Sequence, residues 1–488
     1  MTTTPLRMAS DGYRRRRTTT LWIRALKLAL NDAFRTLLCQ SWRMQVVVIG
    51  AGVAGLTAAR LLAGAGYNVV VLEARDRIGG RVHTDRSDGH VTDLGASWIH
   101  GVEHSAVAAA VAAFGIRTTE FTVGGYQVDG RPIAYHGPDG TRLDAEAASR
   151  FAADVHTADR ALVDAIGRSG PTDTYRDVVE RALAAQEWDA DRTERVREHL
   201  EHRSEEQYGV PSDELAAHGL DDDAIAGDEV VFPDGYDALP ARLAEGLDIR
   251  LGQVVTGVHH GDDGVDVTST AGTIHADVAV VTVPVGVLQS DGFVIDPPLP
   301  ERHRLALGRL RMNAFEKVVL RFPERFWDED VYVVRQLGPE GRWWHSWYDL
   351  TRLDGTPTLL TFAAGPAARA IRGWSTDQVA DSVLEQLRRL FGDRVVAPVS
   401  VQVTAWQDDP FAGGSYAHML PGSTTTDHDD LAEPIDGRLH LAGEATWTDD
   451  PATVSAALYS GHRAAVAVLG HDVPVVRLWS TDGPWEDG

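Results

Sequence analysis

Apolar and polar positions change rhythm several times along this chain. Gln45–Ile49 (QVVVI) and Val69–Leu72 (VVVL) are nearly continuous apolar runs. That is the pattern of strands covered on both faces in a parallel sheet. Between them, Leu56–Leu62 is helical in spacing and rich in small residues, and it stops near Gly64 and Gly66. Strand, helix and strand in such close order predict a βαβ unit opening a doubly wound sheet. Residues 141–225 shift to helical spacing ("DAEAASRFAADVHTADRALVDAI", "YRDVVERALAAQEW") and predict a helical insertion. Strand patterns return over 246–288 ("GLDIRLGQVVTGVHH", "GVDVTST", "ADVAVVTVPVGVL"), and a mixed block over 295–400 contains "EKVVLRF", "VYVVRQL" and "TLLTFAAG". The chain closes on a strand followed by a helix. The fold class expected is therefore α/β: a doubly wound, Rossmann-like dinucleotide domain plus a substrate domain of mixed sheet and helices. The dinucleotide domain is discontinuous, at 44–120, 226–294 and 401–470, and the substrate domain occupies 121–225 and 295–400. A basic extension (1–43) precedes them, and a tail (471–488) follows.

Composition narrows this only slightly. A chain of 488 residues, 43% hydrophobic and 24% charged, has room for two or three domains and a large core. The net charge of −25 argues against nucleic-acid or anionic-membrane partners and favours cationic ligands. The first 43 residues hold nine Arg/Lys against two Asp, a charge of +7, so the remainder carries −25 − 7 = −32. Their "RRRRTTTLWIRALKLALNDAFRTLL" is a basic amphipathic pattern interrupted by Arg24, Lys27 and Asp32, too short and too charged for a signal peptide or a spanning helix. It reads as a disordered extension with Met44 as the functional start, and no stable membrane insertion is expected. The single cysteine, Cys39, excludes an intrachain disulfide and a cysteine-built metal site, and a cytoplasmic location is expected. With no HExxH-type spacing, no metal is expected.

The chemistry begins at "GAGVAG". Gly50 permits the tight turn, Gly52 lets backbone approach a pyrophosphate, and Gly55 lets the helix pack on the strand. The helix N-terminus then faces the phosphates. Glu73 ends the second strand, placed to accept from both ribose hydroxyls and to repel a 2′-phosphate. Either NAD or FAD satisfies this much. "EARDRIGGR" adds a second flexible turn and a guanidinium, Arg81, which suits an FAD kept through turnover.

Lys317, in "AFEKVVLRF", is the second and last lysine of the chain; from Met44 onward there are 36 arginines and this one lysine. A compact amine with three rotatable donors and a shiftable pKa does what a flat, permanently charged guanidinium cannot.

The ordered motifs resemble the FAD-dependent amine oxidases, and among them the polyamine oxidases. "VVVIGAGVAGL…VLEARDRIGGR", "DLGASWIHG", "FPDGYDALPARLAEGLDIRLGQVVTGV", "EKVVLRFPERFW", "AWQDDPFAGGSYAH" and "LHLAGEATWTDDPATVSAALYSGHRAA" carry the likeness from Met44 to about Gly470. The resemblance implies that Gly50, Gly52, Val53, Ala54 and Gly55 hold the pyrophosphate and Glu73 the ribose. Arg75, Gly80 and Arg81 flank the phosphates; Gly95, Ala96, Ser97 and Trp98 pass along the flavin; Val255 touches adenine through its backbone. Trp406 belongs to the closing flavin segments, Glu444 to the ribityl or pyrophosphate region, and Thr453 and Val454 open a helix aimed at the flavin pyrimidine. Lys317 sits beside flavin N5 and holds a water there, and His100 lies near the substrate nitrogen. Glu206, or Glu205 one register away, faces a distal ammonium. Tyr416 supplies one aromatic wall, while Thr453 stands where a second ring would close the cage. Ser415 replaces the cysteine that bonds flavin in monoamine oxidases, so the FAD is expected to be noncovalent. Trp344, Trp347 and Tyr348 are further expected cavity residues.

The implied activity is hydride transfer from the carbon α to an amine nitrogen onto flavin N5, giving an imine, then an aldehyde, with dioxygen reduced to hydrogen peroxide. The expected partner is a cationic amine of the spermine and spermidine class. Alternatives are an L-amino-acid oxidase, needing a cavity arginine, and a monoamine oxidase, which the half-open cage disfavours. A non-enzymatic flavin-holding regulatory module is a further one. For a chromatin-type demethylase, the length leaves little room for a helical antenna. Neither the preferred amine nor the oligomeric state follows from the sequence.

Overall fold

The structure, a computed structural model, describes residues 44–123, 133–220, 225–341 and 343–480. The extension 1–43, with its amphipathic pattern and Cys39, lies outside the described residues, as does the end of the tail.

Five parallel strands form the first sheet, in the order Leu439–Leu441, Val278–Val281, Gln45–Ile49, Asn68–Leu72, Asp248–Arg250. Alternate residues of Gln45–Ile49 enter two different cores. Val46 and Val48 pack with the helices Val53–Gly64 and Val454–Leu469, while Val47 and Ile49 pack with a four-stranded sheet that includes Val255–Gly261. Burial on both faces is why the run reads as unbroken apolar sequence. The two helices approach closely because Gly461 has no side chain: a Cβ there would lie 2.2 Å from the Ala54 carbonyl oxygen.

A six-stranded sheet forms the second layer, in the order Ser400–Val403, Phe315–Arg321, Thr358–Ala364, Ser346–Asp349, Val333–Gln336, Ile133–His136; only the last pair is parallel. Its two faces separate by parity. Val318, Leu320 and Trp347 enter an apolar core against the helix Thr376–Phe391, whereas Lys317, Phe362 and Tyr348 point the other way. Trp347 therefore does not line the cavity: it sits opposite in parity to Tyr348 and is fully buried. Trp344 lies in the same core, its indole N–H donating to Ser382 Oγ on the helix at 2.8 Å. Both belong to the sheet's packing.

The helical stretch contains Ala145–Ile166, Tyr175–Ala184 and Ala190–Tyr208. Each starts where a side chain caps the first turn: Asp144, the Thr174/Asp177 capping box, and Asp189. The third ends at Gly209, in the left-handed region at φ 67°, and Asn313 Nδ2 donates to the last carbonyl, Tyr208 O, at 2.8 Å. That contact brings Glu205–Tyr208 against the start of the lysine strand. Among the described residues, no helix is long and apolar enough to cross a membrane, and no cluster of side chains is built to hold a metal ion.

Candidate active site

Two glycine turns meet at the start of helix Val53–Gly64. Gly50 has φ 106°, and a Cβ there would meet Thr282 Oγ1 at 2.6 Å. A Cβ on Gly55 would lie 2.0 Å from Gly50 O. Gly52, by contrast, faces open space, with nothing within 4 Å of where its Cβ would be. It forms the helix N-cap without a capping side chain and pairs with Gly79 in a backbone bridge. Gly80, at φ 59°, stands beside it. Uncapped N–H groups beside open space form a cradle for an anionic pyrophosphate.

Glu73 spans this loop. Its carboxylate accepts from the N–H of Ala51 at 2.8 Å and of Arg75 at 2.9 Å. Arg75 pairs with Asp409 at 2.7 Å. Arg81 Nη1 donates to Glu444 Oε1 at 2.7 Å and to the Ser415 carbonyl at 3.1 Å. The other Glu444 oxygen, Oε2, is buried and has no partner. A buried carboxylate oxygen without a donor is costly, and the hydroxyls of a ribityl chain or ribose would satisfy it. The segment Gly95–Trp98 crosses directly over Arg81: Ala96 N donates to Arg81 O at 3.1 Å, and a Cβ on Gly95 would lie 1.8 Å from that oxygen. Trp406 Nε1 donates to Leu94 O at 3.0 Å, which ties the closing segment to the same place. Thr453 caps the final helix through Ala456 N at 3.0 Å, and Val454 begins it. Val255 opens a strand just beyond Gln253, whose N–H donates to Glu73 O at 2.8 Å. The open cradle, the orphaned Glu444 oxygen and this converging set of segments fit a dinucleotide.

Lys317 is buried. Its Nζ donates to the carbonyls of Asp93, at 3.0 Å, and Gly95, and to Ser97 Oγ, all within "DLGAS". The Trp98 ring lies 5.8 Å away. Burial lowers the amine's pKa from 10.5 to about 8, with Asp93 opposing.

From Trp98 a chain of aromatic contacts runs through Tyr348 (6.0 Å), Phe362 (5.3 Å) and Phe315 (4.8 Å) to Tyr416 (5.7 Å). The Tyr416 hydroxyl donates to Gln207 O at 2.8 Å, and burial raises its pKa. On the other side of Trp98, His100 stacks at 6.5 Å, and its Nδ1 meets Glu229 Oε1 at 2.5 Å. Its side chain remains 57% accessible. Burial works against its charge, but the Glu229 contact, with Asp450 behind it, prevails and raises the pKa.

Glu206 turns inwards, 10% exposed, and receives Arg335 Nη2 at 2.6 Å; His345 Nδ1 lies 3.4 Å from its other oxygen. Glu205 instead lies in the field of Arg369. No contact among these ties Glu206 to Lys317, although its charge reaches both Tyr348 and Tyr416.

The fold thus gathers Lys317, Ser97, Trp98, His100 and Tyr416 along one aromatic arc. Sequence reasoning missed Glu229, Arg335, Phe315 and Phe362. Strand parity was the available signal for Phe315, two residues from Lys317; Phe362 becomes visible only once the strands are paired. Glu229 stands within "DEVVFPDG", just ahead of a quoted motif, but nothing in the sequence pairs it with His100.

The profile of the flavin containing amine oxidoreductases matches residues 53–469. The Arabidopsis thaliana protein named Polyamine oxidase 2 is 33% identical over 451 residues, spanning 86% of this chain and 87% of its own. Lysine-specific histone demethylase 1 homolog 2 of Arabidopsis thaliana is 32% identical over 444 residues, spanning 87% of this chain, which covers 58% of that longer relative. Among solved structures, a wild-type putrescine oxidase bound to putrescine superposes with a TM-score of 0.73 at 22% identity, over 88% of this chain and 99% of its own, a likeness of fold.

Proposed function

The chain belongs to the flavin containing amine oxidoreductases and is a flavin-dependent amine oxidase with FAD as its cofactor; from that premise we propose that its substrate is a long aliphatic polyamine and its location the cytoplasm. The observation that carries the proposal is the aromatic arc beside a buried amine, with the carboxylates of Glu229, Asp450 and Glu206 set around it. Ring faces and fixed negative charge attract alkylammonium groups, and the net charge of −25 draws them from a distance.

When bound, FAD would supply the redox chemistry, a two-electron acceptor for the α C–H hydride with dioxygen, plus a proton, as the final acceptor giving hydrogen peroxide. Gly52, Gly80 and the helix N-terminus would hold its pyrophosphate, Glu73 its ribose, and Glu444 with Arg81 the chain between. Trp98, Tyr348 and Tyr416 orient the alkyl chain and keep the site dry. His100, fixed through Nδ1 by Glu229, would use its other nitrogen to hydrogen-bond the substrate. The reacting nitrogen has to shed its proton, because a cation resists hydride loss. Lys317, its pKa lowered to about 8 and its N–H groups engaged by Asp93, Gly95 and Ser97, would in its neutral form accept from a water beside the ring. That water then hydrolyses the imine to an aldehyde and a shorter amine.

An amino-acid oxidase is a second reading that one observation favours: the part-buried Arg335 lies beside Glu206 and within reach of the Tyr348 hydroxyl's field. Its guanidinium donates to Glu206 at 2.6 Å and to Ser346 Oγ at 3.0 Å, so a substrate carboxylate would have to displace Glu206. A peroxide-release assay with spermine, spermidine, putrescine, a methylated-lysine peptide, a phenylalkylamine and amino acids tests the reading. Spermine or spermidine is expected to give the highest kcat/KM. A preference for amino acids or the peptide would overturn it.

A further inference from the structure

Lys317 does not stand alone. It packs against the hairpin Thr84–Asp85/Thr92–Asp93, and Asp93 touches it through its carbonyl. The Asp93 carboxylate is pinned separately: Oδ1 accepts from Thr84 Oγ1 at 2.5 Å and from Tyr236 N at 3.1 Å. Asp93 and Ser97, both ligands of Lys317, also line a cavity of about 40 Å³ bounded by Trp98, Val319 and Arg321. We propose that Asp93 is a positioning residue for Lys317, its carbonyl orienting the amine and its tethered carboxylate supplying the negative charge that keeps a proton available there.

The other charges around the pair are already engaged. On the lysine's own strand, Glu316 points to the opposite face and accepts from Thr404 Oγ1 and from the N–H groups of Trp406 and Gln407. Arg321, on the same face as Lys317, donates to Asp88 and Thr92. On the hairpin, Asp85 accepts from Ser87 and Gln402, and burial together with Arg77 holds His83 below the ordinary histidine range. Beside Tyr236, Asp237 pairs with Arg86. Phe362, directly across the sheet, is uncharged. The pKa directions agree: burial pushes Asp93 up to about 6 and Lys317 down to about 8, and each opposes the other's shift. The inference rests on Lys317 as the site lysine, and it names the charge that opposes burial in setting that amine's protonation.

The chain has only two lysines, so ¹³Cε-lysine labelling of the full-length holoenzyme gives two signals, and Lys27→Arg removes one. The remaining signal titrates Lys317 directly. Asp93→Asn keeps an acceptor for Thr84 and Tyr236 but removes the charge. Its Lys317 midpoint is expected to fall by about one unit at unchanged flavin content. In the holoenzyme with native Asp93, the same signal is expected to show a second, smaller step near pH 6 as Asp93 titrates. An unmoved midpoint would overturn the proposal, and so would a single-step curve with native Asp93 if the Asn variant does not fold. Neither reading depends on which amine is oxidised. A polyamine that fails to react while the coupling is intact removes the functional reading and leaves this one standing.

Discussion

The two ends of this active site are built from different material. At the dinucleotide end, backbone does the work: Gly50, Gly79 and Gly80 turn the chain at positive φ, Gly52 leaves open space, and residues 50–81 specify the cradle. At the amine end, side chains from separate segments converge. Trp98 and His100 come from the short strand Trp98–Ile99 and its end, Glu229 from just before its partner strand, and Lys317, Tyr348 and Phe362 from three strands of one sheet. A backbone site tolerates almost no change in shape at its glycines but is indifferent to many neighbours. A side-chain site can be retuned residue by residue, which is how one scaffold serves many amines.

That contrast orders the expected effects. The largest belongs to Gly55→Ala, which forces a carbon into the 2.0 Å gap to Gly50 O. It should abolish flavin retention and lower the melting temperature, read from absorbance and a thermal melt; a yellow, normally stable variant would break the distinction between the two ends. Lys317→Met comes next. It should retain the yellow colour yet slow turnover by roughly a hundredfold. Loss of colour instead would mean that the amine end also holds the cofactor.

Glu229→Gln should have the smallest effect, raising KM about tenfold with kcat little changed, on the scale of one lost charge contact. Its pH signature sharpens the test. Glu229 raises the His100 pKa, so the pair stabilises the fold below the ordinary histidine pKa, and this contribution is lost as pH rises through the raised value. Glu229→Gln should therefore destabilise the protein most at low pH and shift the His100 limb of kcat/KM downwards. A shift upwards would contradict the assignment.

The same contrast explains what could be read in advance. The βαβ unit and its glycines are local, and their signal is contiguous. Lys317 stood out in the sequence through its rarity among arginines, and the structure finds it buried. Trp344 and Trp347 were misplaced because aromatic character was weighed without strand parity, which sends Trp347 into the core and its neighbour Tyr348 into the arc. Glu229 beside His100, Arg335 on Glu206 and the Asp93 tether involve residues more than a hundred positions apart. They are products of topology, and no local pattern announces them.

The central claim is that an aliphatic polyamine delivers hydride to the FAD held beside Lys317. Anaerobic stopped-flow mixing of the purified holoenzyme with spermine, followed at the flavin absorbance band, tests it most directly. The account predicts rapid and complete bleaching that saturates with spermine concentration. A flavin that stays oxidised with spermine and spermidine but bleaches with an amino acid would contradict it.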